Sequence, residues 1–233
     1  MGKHTLNISS SADGLGAHYF YDGLNRLVEI QYPDAVVEYA YDALGRRTTM
    51  TDTAGVTTYE YDDLGRVIRV TDPFTGVVEY GYDLAGNRTT LTVTHNAQPT
   101  TTHYAFDADN RLIQVTDWAT GMTTYGYDAA SRLITMTLPN GVQTTHTYDL
   151  AGRLTSLLHA RGTTVLAHYA YTLDATGNRT HVTETVSGVT RVISYTYNPL
   201  NYLTAADYST GETYAYQYDP VGNREVMTVT SNQ

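Results

Sequence analysis

The segment Tyr41-Asp42-Ala43-Leu44-Gly45-Arg46 returns twenty residues later as Tyr61-Asp62-Asp63-Leu64-Gly65-Arg66, and this recurrence decides the fold. The Tyr-Asp step, or a variant of it, occurs ten times at intervals of 20 to 25 residues. The copies are Tyr21-Asp22, Tyr41-Asp42, Tyr61-Asp62, Tyr82-Asp83, Phe106-Asp107, Tyr127-Asp128, Tyr148-Asp149, Leu173-Asp174, Tyr197-Asn198 and Tyr218-Asp219. A period of this length, kept along the chain, predicts a repeat architecture.

The residues after each Asp predict a tight turn. Positions are counted from the Asp of each copy (Asn198 in the ninth), so that Tyr61 is at −1 and Gly65 at +3. Position +3 holds a residue that tolerates left-handed backbone, namely Asn25, Gly45, Gly65, Gly86, Asn110, Ser131, Gly152, Gly177, Asn201 and Gly222. This pattern fits a type I turn closed by a glycine bulge, in which the Asp carboxylate binds the turn's own N–H groups. We therefore expect positive φ at the six glycines.

Aromatic and apolar residues repeat in the same frame. Position −1 is aromatic in nine copies and position −3 is Tyr in nine, with Leu173 and His146 as the exceptions. Position +8 is apolar in all ten: Ile30, Met50, Val70, Leu91, Val115, Met136, Leu157, Val182, Ala206 and Met227. Because strand side chains alternate, both tyrosine positions share one face. We expect the +8 residues to form a buried ladder on the other face, beside small residues such as Ala40 and Gly126.

Arginine occupies two positions in this frame. It stands at +4 in six copies, Arg26, Arg46, Arg66, Arg111, Arg132 and Arg153. It stands at +5 in three others, Arg88, Arg179 and Arg224, where an Asn takes position +4. Neighbouring strand positions face opposite ways, so we expect the two kinds of arginine on opposite faces.

A second group of turn residues, such as Asp52-Thr53-Ala54-Gly55 or Pro139-Asn140-Gly141, separates one Tyr-Asp turn from the next strand. Thr, Val, Ile and Tyr, which favour strands, surround it. The sequence thus predicts an all-β fold of tandem β-hairpins, in a curled or spiralling antiparallel sheet that makes a partial shell or barrel. The longer intervals, such as Asp83 to Asp107, are expected to lengthen the second turn.

Composition excludes several classes of protein. The 41% of hydrophobic residues argues against wholesale disorder, and the chain has no apolar run long enough to predict a membrane span. The absence of cysteine removes disulfides and thiolate sites. A net charge of −10 opposes attraction to nucleic acid phosphates. The start, Met1-Gly2-Lys3-His4, lacks the apolar core of a general secretory signal.

The sequence predicts no catalytic, cofactor-binding or metal site. Its histidines lack His-x3-His and His-Glu-x-x-His spacings, and no Gly-x-Ser-x-Gly elbow or phosphate loop occurs. We therefore expect no cofactor and no enzymatic activity. The motif residues are predicted to be structural: Tyr21, Asp22, Arg26, Tyr41, Asp42, Gly45, Arg46, Tyr61, Asp62, Gly65, Arg66, Tyr82, Asp83, Gly86, Arg88, Tyr127, Asp128, Arg132, Tyr148, Asp149, Gly152, Arg153, Tyr218, Asp219, Gly222 and Arg224.

In copies such as Tyr41 to Arg46, Tyr61 to Arg66 and Tyr148 to Arg153, the chain resembles the Rhs or YD-repeat family, over about Gly16 to Thr230. The resemblance implies a spiralling β-sheet that builds a hollow shell in bacterial Rhs proteins, toxin-complex subunits and teneurins. In the bacterial members the shell encloses a toxic C-terminal polypeptide. The resemblance also implies a bacterial protein that is secreted or associated with the cell surface. The ninth copy departs from the family pattern, with Tyr202 in place of Arg and Asn198 in place of Asp.

The repeat frame also predicts the domain organisation. Residues 1–15 are expected to form a partial leading strand, and residues 16–233 one continuous domain of ten repeats. Residues 6–8 and 226–230 are expected to be edge strands without a partner on one side. Such edges pair with flanking repeats of a larger shell or with another copy of the chain.

Three functions fit these patterns to different degrees. The leading one is a non-catalytic wall segment whose partners are a polypeptide cargo or flanking repeats. The alternative is a carbohydrate-binding surface for cell-surface recognition, since tyrosine rings stack on sugars, although the chain has one Trp. An enzyme would need a nucleophile or an acid-base pair, and the sequence suggests none. Glycan-array binding distinguishes the first two.

Overall fold

The computed structural model describes residues 4–8 and 16–231. The chain divides into two compact units, Met1–Thr120 and Gly121–Gln233. The first unit holds β1 (His4–Ile8), β2 (Ala17–Tyr21), β3 (Leu27–Gln31), β4 (Val36–Tyr41), β5 (Arg47–Asp52), β6 (Gly55–Tyr61), β7 (Val67–Thr71), β8 (Val77–Tyr82), β9 (Arg88–His95), β10 (Gln98–Phe106) and β11 (Leu112–Thr116). The second holds β12 (Met122–Tyr127), β13 (Leu133–Thr137), β14 (Val142–Tyr148), β15 (Leu154–Arg161), β16 (Thr164–Leu173), β17 (Arg179–Val186), β18 (Val189–Tyr197), β19 (Leu203–Tyr208), β20 (Glu212–Tyr218) and β21 (Arg224–Ser231).

Within each unit, every strand pairs antiparallel with its neighbour in the chain. The described residues contain strands and turns but no helix, so none of them forms a helix that could span a membrane. The predicted all-β fold of tandem antiparallel hairpins is confirmed. The expectation of one continuous domain over residues 16–233 stays a prediction.

The ten Tyr-Asp turns have the predicted backbone. The six glycines at +3 have φ between 80° and 97°, and Asn25, Asn110, Ser131 and Asn201 have φ between 58° and 62°. In the third copy, the Gly65 N–H donates to the Asp62 carbonyl at 3.0 Å, and the Asp62 N–H donates to the Arg66 carbonyl at 3.0 Å. These two bonds are those of a type I turn with a glycine bulge, so the turn prediction is confirmed.

A second bulge, after each turn, changes which residues share a face. Tyr61 lies opposite Val67, but Glu60 lies opposite Arg69, which leaves Ile68 as an extra residue. The next tyrosine, Tyr59, therefore lies opposite Val70. The same register shift occurs in all ten Tyr-Asp hairpins. The +8 ladder thus lies on the face of the tyrosines, and the expectation of opposite faces is wrong, because one inserted residue reverses the alternation.

We call the side with the tyrosines and the +8 ladder the tyrosine face, and the other side the polar face. In the first unit, the polar face carries four glutamates, Glu29, Glu38, Glu60 and Glu79, and Arg69 lies within 4.0 Å of Glu60 and 3.5 Å of Glu79. Arg47 and Arg88 lie opposite Tyr41 and Tyr82, on the tyrosine face. The glutamates of these strands and Arg69 therefore lie on the polar face, whereas Arg47 and Arg88 lie on the tyrosine face.

Few of the described side chains are buried. Six residues are: Glu29, Ile30, Thr144, Val182, Ile193 and Ala206. Three of these belong to the +8 ladder, whose other members are half-buried except Met227, which is 51% exposed on β21. The prediction of a buried ladder is therefore correct for only three of its ten positions. Within each unit, contacts join only consecutive strands, so the described strands make a single layer in which most of the described tyrosines are half-buried.

The longer repeats extend their strands rather than the second turn. Between Asp83 and Asp107, β9 and β10 have 8 and 9 residues and are joined by Asn96 and Ala97, whose φ values are 48° and 59°. Two successive residues with positive φ make a type I′ turn, which suits a two-residue hairpin. The expectation of a longer turn is wrong, because Thr and Val in the added segment favour strand pairing.

The last described strand lies at an edge of the second unit. β21 pairs with β20, and within that unit no other described strand pairs with it. All eight of its residues are exposed. In the first unit, β1 pairs with β2 alone among the described strands. The predicted edge strands therefore lie at the expected places within their own units.

Candidate functional site

Each Tyr-Asp turn is held by several polar contacts of its Asp or Asn side chain. In the third copy, Asp62 Oδ1 accepts the N–H groups of Leu64 at 3.0 Å and Arg66 at 2.9 Å. The other carboxylate oxygen accepts the Arg66 Nε–H at 2.7 Å. The first copy has the same arrangement, and there the backbone N–H and then the guanidinium of Arg26 hold the pKa of Asp22 below its usual value. The carboxylate therefore fixes the turn in its ionised form.

The arginine at +4 also reaches the next repeat. Arg46 Nε binds Asp42 Oδ2 at 2.6 Å, while its Nη1 donates to the carbonyl of Asp62 at 3.1 Å. Its guanidinium lies 4.8 Å from the ring centre of Tyr61, within the range of a cation–π contact. Equivalent ring contacts occur at Arg26 with Tyr41 (4.8 Å), Arg66 with Tyr82 (4.4 Å) and Arg132 with Tyr148 (4.7 Å).

The tyrosine at −1 reaches back to the preceding repeat. The Tyr61 hydroxyl donates to the carbonyl of Arg47 at 2.7 Å. Five other tyrosines bind the corresponding +5 carbonyl: Tyr41 to Leu27, Tyr82 to Val67, Tyr148 to Leu133, Tyr197 to Arg179 and Tyr218 to Leu203. We call the +4 side chain and the following −1 tyrosine, with these contacts, the inter-repeat clamp. Where both contacts occur, as between Arg46 and Tyr61, the clamp ties a repeat to the next in both directions.

Asparagine replaces the arginine of the clamp in two copies, through a contact that the sequence analysis missed. Asn87 Nδ2 binds Asp83 of its own turn at 3.0 Å and Asn110 Oδ1 of the next turn at 2.8 Å. Asn178 makes the same bond to Asn201 at 2.8 Å. Thus an Asn at +4 is followed by an Asn at +3 of the next copy. The sequence contains this pattern, but the pattern joins residues of neighbouring copies and is not visible within a single copy.

The ninth copy keeps the clamp with a different side chain. Tyr202 stands at +4, and its ring centre lies 5.1 Å from that of Tyr218, the following −1 tyrosine. Its hydroxyl lies 2.6 Å from where a Cβ on Gly222 would stand. A ring here therefore replaces the guanidinium, and the glycine beneath it leaves the space that the ring needs.

The arginines at +5 contact the other row of tyrosines. Arg47 lies over Tyr59 at 4.5 Å and near Tyr39 at 5.7 Å, and Arg88 lies over Tyr104 at 5.0 Å. Arginines at +4 and +5 therefore both meet rings of the tyrosine face. The expectation of opposite faces is wrong, because position +4 belongs to the turn and does not follow strand alternation.

His146 takes the place of the −3 tyrosine in the seventh copy. Burial and then the charge of His159 lower its pKa, and its Nδ1 is buried without a hydrogen-bond partner. Its ring stacks on Tyr148, with ring centres 6.5 Å apart. Among the described residues, no three His, Asp or Glu side chains are arranged to hold a metal ion.

We predict that His146→Tyr makes the second unit less sensitive to acid. A His with a lowered folded pKa contributes stability above its unfolded pKa, near 6.5, that is lost as the pH falls through the folded value. Denaturant unfolding of both proteins at about pH 7.5 and pH 5 tests this. The advantage of the variant should increase at the lower pH, and an unchanged difference would contradict the prediction.

The bulged turns and the inter-repeat clamp define a protein built of tandem Tyr-Asp β-hairpins. The RHS Repeat family model matches residues 21–57, 61–98, 106–143 and 127–164, which is more than half of the chain. The chain belongs to the RHS-repeat family, and the predicted resemblance is confirmed.

The chain is also similar to solved structures. TcdB2-TccC3-TEV has a TM-score of 0.50 at 13% identity, over 94% of this chain and 15% of that chain. TcdB2-TccC3 has a TM-score of 0.49 at 13% identity, over 94% and 16%. The Tc holotoxin pore of Photorhabdus luminescens has a TM-score of 0.45 at 16% identity, over 94% and 16%. The chain thus spans about a sixth of the length of these proteins. No curated protein matches it.

Proposed function

We propose that this chain is a structural wall segment, part of a hollow shell that encloses a toxin or another polypeptide, and that it has no catalytic activity. The inter-repeat clamp carries the proposal. In the clamp, the ionised and aromatic side chains of the motif hold successive repeats together. Arg66 binds Asp62 at 2.7 Å and the Asp83 carbonyl at 3.3 Å, and the Tyr82 hydroxyl donates to the Val67 carbonyl at 2.9 Å. The motif residues are then structural, as the sequence suggests.

The tyrosine face supports contact with a polypeptide. Its rings and apolar ladder are half-buried within a single layer, and in the first unit its strands carry Arg47 and Arg88, whereas the glutamates lie on the other side. Aromatic side chains with arginine are typical of surfaces that bind protein. We infer that the tyrosine face is the one turned towards the cargo.

Site-specific photo-cross-linking tests this assignment. A benzophenone amino acid is placed at Tyr59, on the tyrosine face, and at the adjacent Glu60, on the polar face, as a matched control. The protein is produced from its natural gene in its natural host. Cross-links to a polypeptide from position 59, and few from position 60, are expected. Equal labelling from both positions, or labelling of glycan alone, would contradict the proposal.

The chain is also expected to associate with itself through β21. Its eight exposed residues offer unpaired backbone groups, and pairing with a strand of another molecule needs no particular side chain. Sedimentation velocity should show association that increases with concentration. Val229→Lys, which adds charge at this edge, should weaken it. A strict monomer up to about millimolar concentration would contradict the prediction.

The alternative, a carbohydrate-binding surface, has less support. At the −1 position, the Tyr61 ring already has a guanidinium 4.8 Å from its centre, and its hydroxyl is bonded to the main chain. Stacking on sugars needs an open ring face. Binding on a glycan array that is lost in a Phe74→Ala and Trp118→Ala double variant would favour this function, because both rings are exposed, at 72% and 68%.

A further inference from the structure

A cavity lies beside the eighth Tyr-Asp turn, where the motif is most altered. It has a volume of about 330 Å³ and is lined by Arg153, Leu154, Tyr171, Leu173, Gly177 and Arg179. All of these belong to the second unit. Leu173 stands at −1, the position that is aromatic in the nine other copies.

The preceding repeat shows what normally fills this place. There, the Tyr148 ring lies 4.7 Å from the guanidinium of Arg132, and its hydroxyl donates to the Leu133 carbonyl at 2.9 Å. In the eighth copy, Arg153 and Leu154 take the places of Arg132 and Leu133. Leu173 has neither a ring that could stack on the Arg153 guanidinium nor a hydroxyl that could donate to the Leu154 carbonyl. This guanidinium and this carbonyl therefore lack the phenol that their counterparts contact in the preceding repeat.

The arginine of this cavity is already held in the clamp position. Arg153 Nε binds Asp149 Oδ2 at 2.7 Å, and its Nη1 donates to the Asp174 carbonyl at 2.8 Å. The Leu173 side chain is shorter than a phenol and supplies an apolar floor, while Tyr171 and the Arg179 guanidinium, 5.7 Å from the Tyr171 ring, form a wall. A ligand entering here would meet a preorganised site, which reduces the entropic cost of binding.

We infer that this cavity binds a phenol ring, either of a tyrosine side chain from a bound polypeptide or of a small phenolic molecule. The ring stacks on the Arg153 guanidinium, its edge packs on Leu173, and its hydroxyl donates to the Leu154 carbonyl. The inference does not depend on the proposed wall function, because it rests on the comparison between repeats.

Titration of the intact chain with p-cresol, followed by NMR, tests the site. Saturable binding with a dissociation constant on the order of millimolar is expected for so small a ligand. 4-Methylcyclohexanol, which has the hydroxyl but no aromatic ring, should bind at least about fivefold more weakly. Leu173→Tyr restores the motif and fills the cavity, so it should weaken cresol binding at least about tenfold. Unchanged binding in this variant would overturn the inference.

A gain-of-site variant gives an independent check. Tyr148→Leu should open a matching cavity beside Arg132, so that the chain binds two equivalents of p-cresol and its thermal midpoint rises on adding the ligand. A stoichiometry that stays at one would also overturn the inference. N-acetyl-tyrosine amide separates the two sources of the ring: binding as tight as that of p-cresol indicates a polypeptide side chain, and exclusion of the amide indicates a free phenol.

Discussion

Tyr61→Leu is expected to destabilise the first unit by about 2–4 kcal/mol. The variant loses the bond from the hydroxyl to the Arg47 carbonyl at 2.7 Å. It also loses the ring under the Arg46 guanidinium. A leucine fills only part of the volume, so the guanidinium and the carbonyl are left without this partner. Chemical denaturation, with the midpoint and slope fitted together, measures the change.

Tyr61→Phe is the matched control. It keeps the ring and the contact with Arg46 but removes the hydroxyl, so it should cost about 1 kcal/mol. The fifth copy has Phe106 at this position, which shows that the frame accepts a ring without a hydroxyl. If the Leu and Phe variants were equally stable, the cation–π contact would contribute nothing, and the inter-repeat clamp would reduce to a hydrogen bond.

The turns could be predicted because their causes are local. Asp62, the residue at +3 and the apolar residue at +8 lie within one short segment, and the backbone conformation at +3 follows from the residue type. Strand position follows from the same frame. For this reason even the altered eighth copy, at Leu173 and Asp174, has its turn where the period puts it.

Which side chains share a face of the sheet could not be predicted by counting residues from the Asp of each copy. The bulge at Ile68 adds one residue to one strand, and a single residue is enough to move Val70 to the side of the tyrosines. The residue types at this position, Val, Thr or Ile in nine copies and Glu in one, suit an ordinary strand position equally well and so do not distinguish a bulge. The bulge follows from the geometry of the turn and the twist of the hairpin.

The clamp was missed for a different reason. Its partners lie in consecutive copies, so the frame of a single repeat does not contain them. Arg46 and Asp62 are sixteen residues apart, and the reach of a guanidinium across two strands decides the contact. Pairs between copies, such as Asn87 with Asn110, carry this information in the sequence, and they become readable only when the strand pairing is known.

Gly65→Val is expected to cost about 1–3 kcal/mol through backbone strain. Gly65 has a φ of 80°, a region that a β-branched residue rarely adopts. Space is not the obstacle, since a Cβ on Gly65 would meet its nearest neighbour, Arg46 Cδ, at an ordinary 3.9 Å. The loss therefore measures conformation rather than a clash, and urea unfolding of the variant gives its size.

Gly65→Asn separates strain from loss of the clamp. Asn25, Asn110 and Asn201 occupy the same position with φ of 58°, 60° and 62°, so asparagine should be tolerated at a cost below about 1 kcal/mol. A valine variant as stable as the asparagine variant would contradict the strain argument.

Because the turn places both Asp62 and Arg66, a distorted turn also weakens the hydrogen bond from Arg66 Nη1 to the Asp83 carbonyl of the next repeat, at 3.3 Å. The valine substitution should therefore raise hydrogen exchange in the turn at Asp83 as well as in its own, whereas asparagine should leave both protected.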